Sequence, residues 1–238
     1  MRESLNKFIL IVVAVAIALF WANSQGHGDV IEEFFADAFP DFKAPSVQID
    51  NPINVDLDKV TGALDDINVG GLRDISYDRE GQFGPAWKDV DGNGCDTRND
   101  ILARDLEDIR LDGDKCTVLS GTLSDPYTGE TIEFTRGVST SHRVQIDHIV
   151  PLSLAARTGA LDWSQEQRER FSNDPINLLA VDGPTNGSKG DKGPGDWLPP
   201  NKAFHCDYVK TYVNVINAYD LDMPAKDAKK SRSVLENC

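Results

Sequence analysis

Residues 144–192 constrain this chain more than any other stretch. Val144, Ile146 and Ile149 mark a short β-run that carries the adjacent pair Asp147 and His148. Asn177-Leu178-Leu179-Ala180-Val181 mark a second. Asp182-Gly183-Pro184 has turn chemistry, and Thr185 is placed to cap a short helical turn carrying Asn186 and Lys189. The order is strand, insert, strand, turn, helix. It sets a carboxylate and an imidazole on the first strand and a carboxamide on the helix. On a regular strand Asp147 and His148 face opposite ways, so a site using both needs a twisted or irregular strand end.

These residue types suit phosphodiester hydrolysis. That reaction needs a nucleophilic water, a cation on the phosphate oxygens and help for the leaving alkoxide. Imidazole titrates near neutrality and accepts the water's proton. A hard cation such as Mg²⁺ prefers oxygen donors, and one carboxylate plus one amide oxygen leave positions for phosphate and water.

The layout resembles the ββα-metal finger of HNH nucleases. Asp147-His148-Ile149-Val150-Pro151 is similar to that family's DH-x-x-P, Asn177 to its middle Asn, and Asn186 to its third residue. The interval from Asn177 to Asn186 resembles that in the HNH domain of RNA-guided CRISPR nucleases. With NLLAV, N-x-x-KGD and W-L-P-P, the wider run is similar to the C-terminal nuclease domain of the GmrSD type, in particular to secreted actinobacterial HNH-family proteins. The resemblance implies an α+β fold, the finger at 144–192 embedded in a small helical domain spanning 75–238. It implies His148 as general base, Asp147 and Asn186 on one divalent metal (Mg²⁺, or Mn²⁺), and products with 5′-phosphate and 3′-hydroxyl ends. Asn177 is expected to hold the finger together through backbone hydrogen bonds. Lys189 and Arg98 are the candidates for phosphate contact. The expected substrate is nucleic acid, DNA before RNA, and the expected state a monomer.

Charge argues the other way. Asp and Glu number 39 against 24 Lys and Arg, a net charge of −15, whereas nucleic-acid binders favour basic surfaces. About half of that excess lies before the expected domain. Residues 23–74 hold eleven acids against Lys43, Lys59 and Arg73. Leu57 to Ile67 shows some helical spacing, but with Pro40, Pro45 and Pro52 interrupting it, 25–74 reads as an acidic, largely irregular linker. Before it, Arg2 and Lys7 precede the apolar run 8–22. That run is short for a spanning helix and suits a signal peptide, so 1–24 reads as a signal peptide or an uncleaved N-terminal membrane anchor. Either places the rest outside the cytoplasm.

The four cysteines form no C-x-x-C pair, which disfavours a zinc knuckle. An exported chain with an even number suggests disulfides. Of three possible pairings, Cys95–Cys116 and Cys206–Cys238 are preferred because each closes a local loop.

Tyr77 to Trp87 reads as a loop with one buried aromatic anchor. Asp89, Asp91, Asn93, Gly94 and Asp100 match the start, turn and end of a calcium loop. Pro85 and the glycines oppose an entering helix, so bound Ca²⁺ competes with a plain Gly-rich turn before a helix at 97–108. That loop also defines the rival function, a non-catalytic calcium-stabilised cell-surface binding module. A hairpin is expected across 117–134 and capped helices in the insert, the second opened by Ser164 and Gln167. An amphipathic helix at 203–218 and a last helix at 226–235 complete the chain.

Overall fold

A computed structural model describes residues 52–238. The elements run α1 (Leu57–Asp66), β1 (Val69–Gly70), α2 (Arg79–Phe83), α3 (Thr97–Asp105), β2 (Glu107–Leu111), β3 (Val118–Ser124), β4 (Thr131–Thr135) and β5 (Val144–His148). They continue with α4 (Leu152–Arg157), α5 (Gln165–Ser172), β6 (Leu178–Asp182), α6 (Gly183–Lys189), α7 (His205–Ala218), β7 (Met223–Pro224) and α8 (Ala225–Leu235).

β5 and β6 pair antiparallel, Val144 opposite Asp182 and His148 opposite Leu178. The ribbon lies between two cores, which is why Leu178, Leu179, Ala180 and Val181 are all buried. Val144, Ile146, Leu178 and Ala180 pack with Ile101, Leu102 and Phe134. Leu179 and Val181 join Tyr127, Tyr208 and Tyr212 on the other side. The second edge of β6 needs hydrogen-bond partners of its own. A buried ion pair on α3 supplies them: Arg104 donates to the Leu178 carbonyl (2.7 Å) and Asp105 accepts from the Ala180 amide (2.8 Å).

α6 begins directly at the end of β6. Asp182 is its N-cap, accepting from the Thr185 amide (2.8 Å), with Pro184 in the first turn. Thr185 is therefore capped rather than capping, and the expected turn is the helix start. A Cβ at Gly183 would lie 2.0 Å from the His142 carbonyl oxygen, so glycine alone allows α6 to close against the approach to β5. Strand, strand and helix form the expected ββα unit inside an α+β body.

The helix expected to reach Asp108 ends at Asp105. Leu106 turns extended into the core, and β2 joins β3 and β4 in a three-stranded sheet. Cys95 pairs with Cys116 and Cys206 with Cys238, with Cα–Cα distances of 5.3 and 5.7 Å. By loop closure each contributes about 3 kcal/mol. In the insert, Ser164 and Gln167 make both bonds of a capping box.

The folded body begins earlier than Ile75, which moves the expected boundary at 74 toward the N-terminus. α1 buries Val60 and Leu64, one turn apart, and packs against α7 and α8. Asp56 caps it, accepting from the Lys59 amide (2.9 Å). Arg232 pairs with Asp65 (2.6 Å), β1 runs parallel to β7, and Thr211 Oγ1 donates to the Pro52 carbonyl (2.9 Å). Burying two apolar side chains on one face outweighs the acidic composition, which occupies the solvent face. Residues 1–51, with the apolar run and most of the acidic stretch, lie outside the described residues. Among the described residues no helix is long and apolar enough to cross a membrane.

Candidate active site

A cleft of about 290 Å³ involves the end of β5, the start of α2 and the end of α6, with Tyr77, Arg79, Asp147, His148, Asn186 and Asp191 among its lining. His148 Nε2 lies 2.8 Å from the Ser172 carbonyl oxygen. A carbonyl only accepts, so Nε2 carries the proton and Nδ1 of the neutral ring is left as an acceptor. Ser172 is itself anchored, its hydroxyl donating to the Phe83 carbonyl (3.2 Å). Trp87 stacks on the imidazole with ring centroids 6.3 Å apart. Burial lowers the His148 pKa to about 4; the Ser172 carbonyl and Asp147 oppose this, while Lys189 and Arg79 add to it. The imidazole is neutral at physiological pH.

The β5 ladder stays regular through His148, and Asp147 and His148 have separate partners. Asp147 is buried. Its Oδ1 accepts from Lys189 Nζ (2.9 Å); its Oδ2 accepts from Lys189 Nζ (2.7 Å) and from the Tyr127 hydroxyl. Lys189 Nζ also donates to the His148 carbonyl (2.6 Å) and is fully buried. All three of its donors are spent within the protein, which overturns its assignment to phosphate contact. Arg98 is corrected too: its guanidinium turns to the Val144 carbonyl (3.2 Å) at the opposite end of β5 and does not line the cleft. Asn177 is fully buried and clamps Val150, accepting from its amide (2.8 Å) and donating to its carbonyl (3.2 Å). It fixes the chain just after His148 and is not part of the cleft.

Asn186 is oriented by a relay. The His142 carbonyl accepts from Gln145 Nε2 (3.4 Å), and Gln145 Oε1 accepts from Asn186 Nδ2 (3.0 Å). Because the relay starts at an obligate acceptor, the Asn186 carboxamide oxygen is the end left over. Asp147 Oδ1 accepts from Lys189 alone and retains a lone pair. One carboxylate and one amide oxygen on a common cleft fit a hard divalent cation that keeps its other positions for water and phosphate. Among the described residues no three His, Cys, Asp or Glu side chains converge on a metal position, so the protein's own donors would be these two.

The loop at 89–100 is built of Asx turns. Asp89 accepts from the Gly92 (2.7 Å) and Gly94 (3.0 Å) amides, Asp91 accepts from the Asn93 amide (3.1 Å), and Asn93 Nδ2 bridges Asp91 and Asp100 (3.1 Å each). A donor nitrogen thus stands between carboxylates that a calcium cage would need to converge. Burial, with Asp91, Asp89 and Asp96 nearby, raises the Asp100 pKa to about 6, against the lowering effect of its bond from Asn93. The carboxylates of this possible calcium loop are thus engaged in the loop's own hydrogen bonds, as in the Gly-rich turn that competes with it, and among the described residues no three of them converge on a metal position.

A second hollow of about 600 Å³, lined by Trp163, Glu166, Arg170 and Asp220 among others, lies away from His148. It holds no histidine and no carboxamide relay, so the chemistry favours the smaller cleft. Two cleft residues, Tyr77 and Arg79, escaped the sequence reading. They sit about seventy residues from β5 and only α2 carries them to it, so no local spacing signals them.

Residues 96–230 match the family described as GmrSD restriction endonucleases, C-terminal domain. The chain belongs to this family. An uncharacterized secreted protein of Arthroderma benhamiae is 36% identical over 156 residues, covering 65% of this chain and 72% of that protein. The sequence resembled actinobacterial secreted proteins; this relative is fungal. No solved structure matches the chain.

Proposed function

We propose that this GmrSD-family domain is an exported endonuclease that hydrolyses phosphodiester bonds of nucleic acid, DNA before RNA, with His148 as general base. The observation that carries the reading is the orientation of the imidazole. Its proton is committed to the Ser172 carbonyl, its other nitrogen is an acceptor, and its pKa holds it neutral. Nδ1 takes a proton from water in the cleft. The resulting hydroxide attacks phosphorus, the bond to the 3′ oxygen breaks, and that oxygen takes a proton from solvent, leaving 5′-phosphate and 3′-hydroxyl ends. A divalent cation held by Asp147 and Asn186, Mg²⁺ or Mn²⁺, would supply positive charge to the phosphate oxygens and leaving alkoxide. Lys189 and Tyr127 fix the Asp147 carboxylate, and Asn177 fixes the backbone after His148. Export is supported by the apolar run at 8–22, the paired cysteines and the secreted relative.

The test is cleavage of plasmid DNA, oligonucleotides and RNA with Mg²⁺, with Mn²⁺ and with chelator. His148→Ala should lower the rate by about 10² to 10⁴-fold, the usual range for a lost general base. Asn186→Ala should shift the metal dependence upward and be partly restored by excess metal, whereas His148→Ala should not. A wild-type rate in His148→Ala sinks the base assignment. Wild-type protein that cleaves neither DNA nor RNA sinks the reading as a whole.

A further inference from the structure

The rim of the cleft carries a cation and an aromatic ring that the hydrolytic machinery does not use. Arg79 is half-buried and lines the cleft. Its one hydrogen bond among the described residues goes from Nη1 to the Gly84 carbonyl (3.3 Å), and it makes no ion pair there. Among the described residues no carboxylate forms an ion pair with it. Asp147 is held by Lys189 and Tyr127, Asp191 lies 4.0 Å from Arg157, and Asp78 accepts from the Gly81 amide as the cap of α2. A guanidinium offers five donors. In a chain of net charge −15, one that lines a cleft without an ion pair among the described residues is matched to an anion from outside. Two residues away, Tyr77 lines the same cleft and is 42% exposed, its ring tilted on the fully buried Phe83 at 6.5 Å between centroids. An aromatic ring backed by the core and open to solvent is a platform for stacking a planar group.

We propose that Tyr77 and Arg79 form a nucleotide subsite at the cleft, Arg79 holding a phosphate and Tyr77 stacking an unpaired base, so that single-stranded nucleic acid is the preferred substrate. The inference rests on the nuclease reading and narrows it. Duplex binding depends on neutralising many regularly spaced phosphates, and this acidic chain is poorly suited to that. Base stacking is indifferent to net charge and tolerant of sequence, but it requires a base free of its partner.

The experiment compares steady-state cleavage of a labelled single-stranded oligonucleotide with that of a hairpin duplex containing the same strand. Wild type should favour the single strand by at least about tenfold in kcat/KM. Tyr77→Ala should raise KM for the single strand about tenfold with little change in kcat. Tyr77→Phe and Tyr77→Trp should restore it, and Arg79→Ala should weaken binding of both substrates, with Arg79→Lys intermediate. Equal cleavage of duplex and single strand, or an unchanged KM in Tyr77→Ala, overturns the proposal. A second readout needs no turnover. In the background of His148→Ala and with chelator present, a tryptophan introduced by Tyr77→Trp should show saturable quenching by oligothymidylate, and no added quenching relative to the His148→Ala parent also overturns it. If His148→Ala abolishes cleavage while Tyr77→Ala is silent, the nuclease reading stands and the subsite falls. If wild type cleaves nothing but the reporter is quenched, the subsite stands without the activity.

Discussion

Replacing Lys189 by methionine separates what the finger's pattern suggests about this residue from what its surroundings show. Methionine keeps the unbranched stem as far as Cε and removes three donors and the charge. Lys189 is fully buried, and its ammonium spends those donors on Asp147 Oδ1 (2.9 Å), Asp147 Oδ2 (2.7 Å) and the His148 carbonyl (2.6 Å). Lys189→Met leaves a carboxylate that is 5% exposed with only the Tyr127 hydroxyl. Breaking such a buried pair on one side costs about 3–5 kcal/mol. For a domain of this size, at about 2–4 °C per kcal/mol, Tm should drop by roughly 6–20 °C. Adding Asp147→Asn removes the orphaned charge and keeps an acceptor for Tyr127, so the double variant should recover most of the loss. Denaturant unfolding followed by tryptophan fluorescence, with chelator present, measures all three proteins. If Lys189→Met unfolds within about 1 kcal/mol of wild type, the ammonium was not buried and paired, and contact with substrate phosphate becomes its better assignment. If the double variant is no better than the single, the ion pair is not the source of the loss.

The His148 pKa of about 4 makes a kinetic statement: cleavage should rise with pH through about 4 and be level by about pH 6, because only neutral imidazole accepts the proton. A midpoint near the ordinary 6.5 would show a ring open to water. Because the folded value lies below the unfolded one, the unfolded chain binds more protons between those values. This residue therefore makes stability fall as pH drops from about 6.5 to about 4, and His148→Ala should flatten that part of the profile. For the body's N-terminal boundary, Leu64→Ala should cost about 2–5 kcal/mol as a buried side chain on α1; an unchanged unfolding midpoint would return residues 57–66 to the linker.

Local pattern carried much of this protein. The β5–β6–α6 order, the box at Ser164 and Gln167, the helices after Phe204 and the candidates His148, Asp147 and Asn186, which line one cleft, were legible because strand runs, caps and the finger's motif are written in residues close together in the chain. Three things were not. The docking of α1 was not: 57–67 shows helical spacing, but its acids dominate the count, and the two side chains that dock it gain stability only against α7. β2 has no alternating pattern, because Glu107 and Asp108 face water and the strand forms on the edge that β3 offers. Lys189 and Arg98 stand in the sequence as candidates for phosphate contact, Arg98 by resemblance alone, because a cation looks free in one dimension. Burial decided otherwise, since an ammonium beside Asp147 in the interior is paired at short range and a guanidinium facing Val144 is turned from the cleft. The residues that do line it, Tyr77 and Arg79, are brought there by α2 from far along the chain. The sequence by itself determined the ββα order and which residue types stand near it; only the tertiary structure decided which of them meet, because desolvation and pairing depend on neighbours that no local spacing specifies.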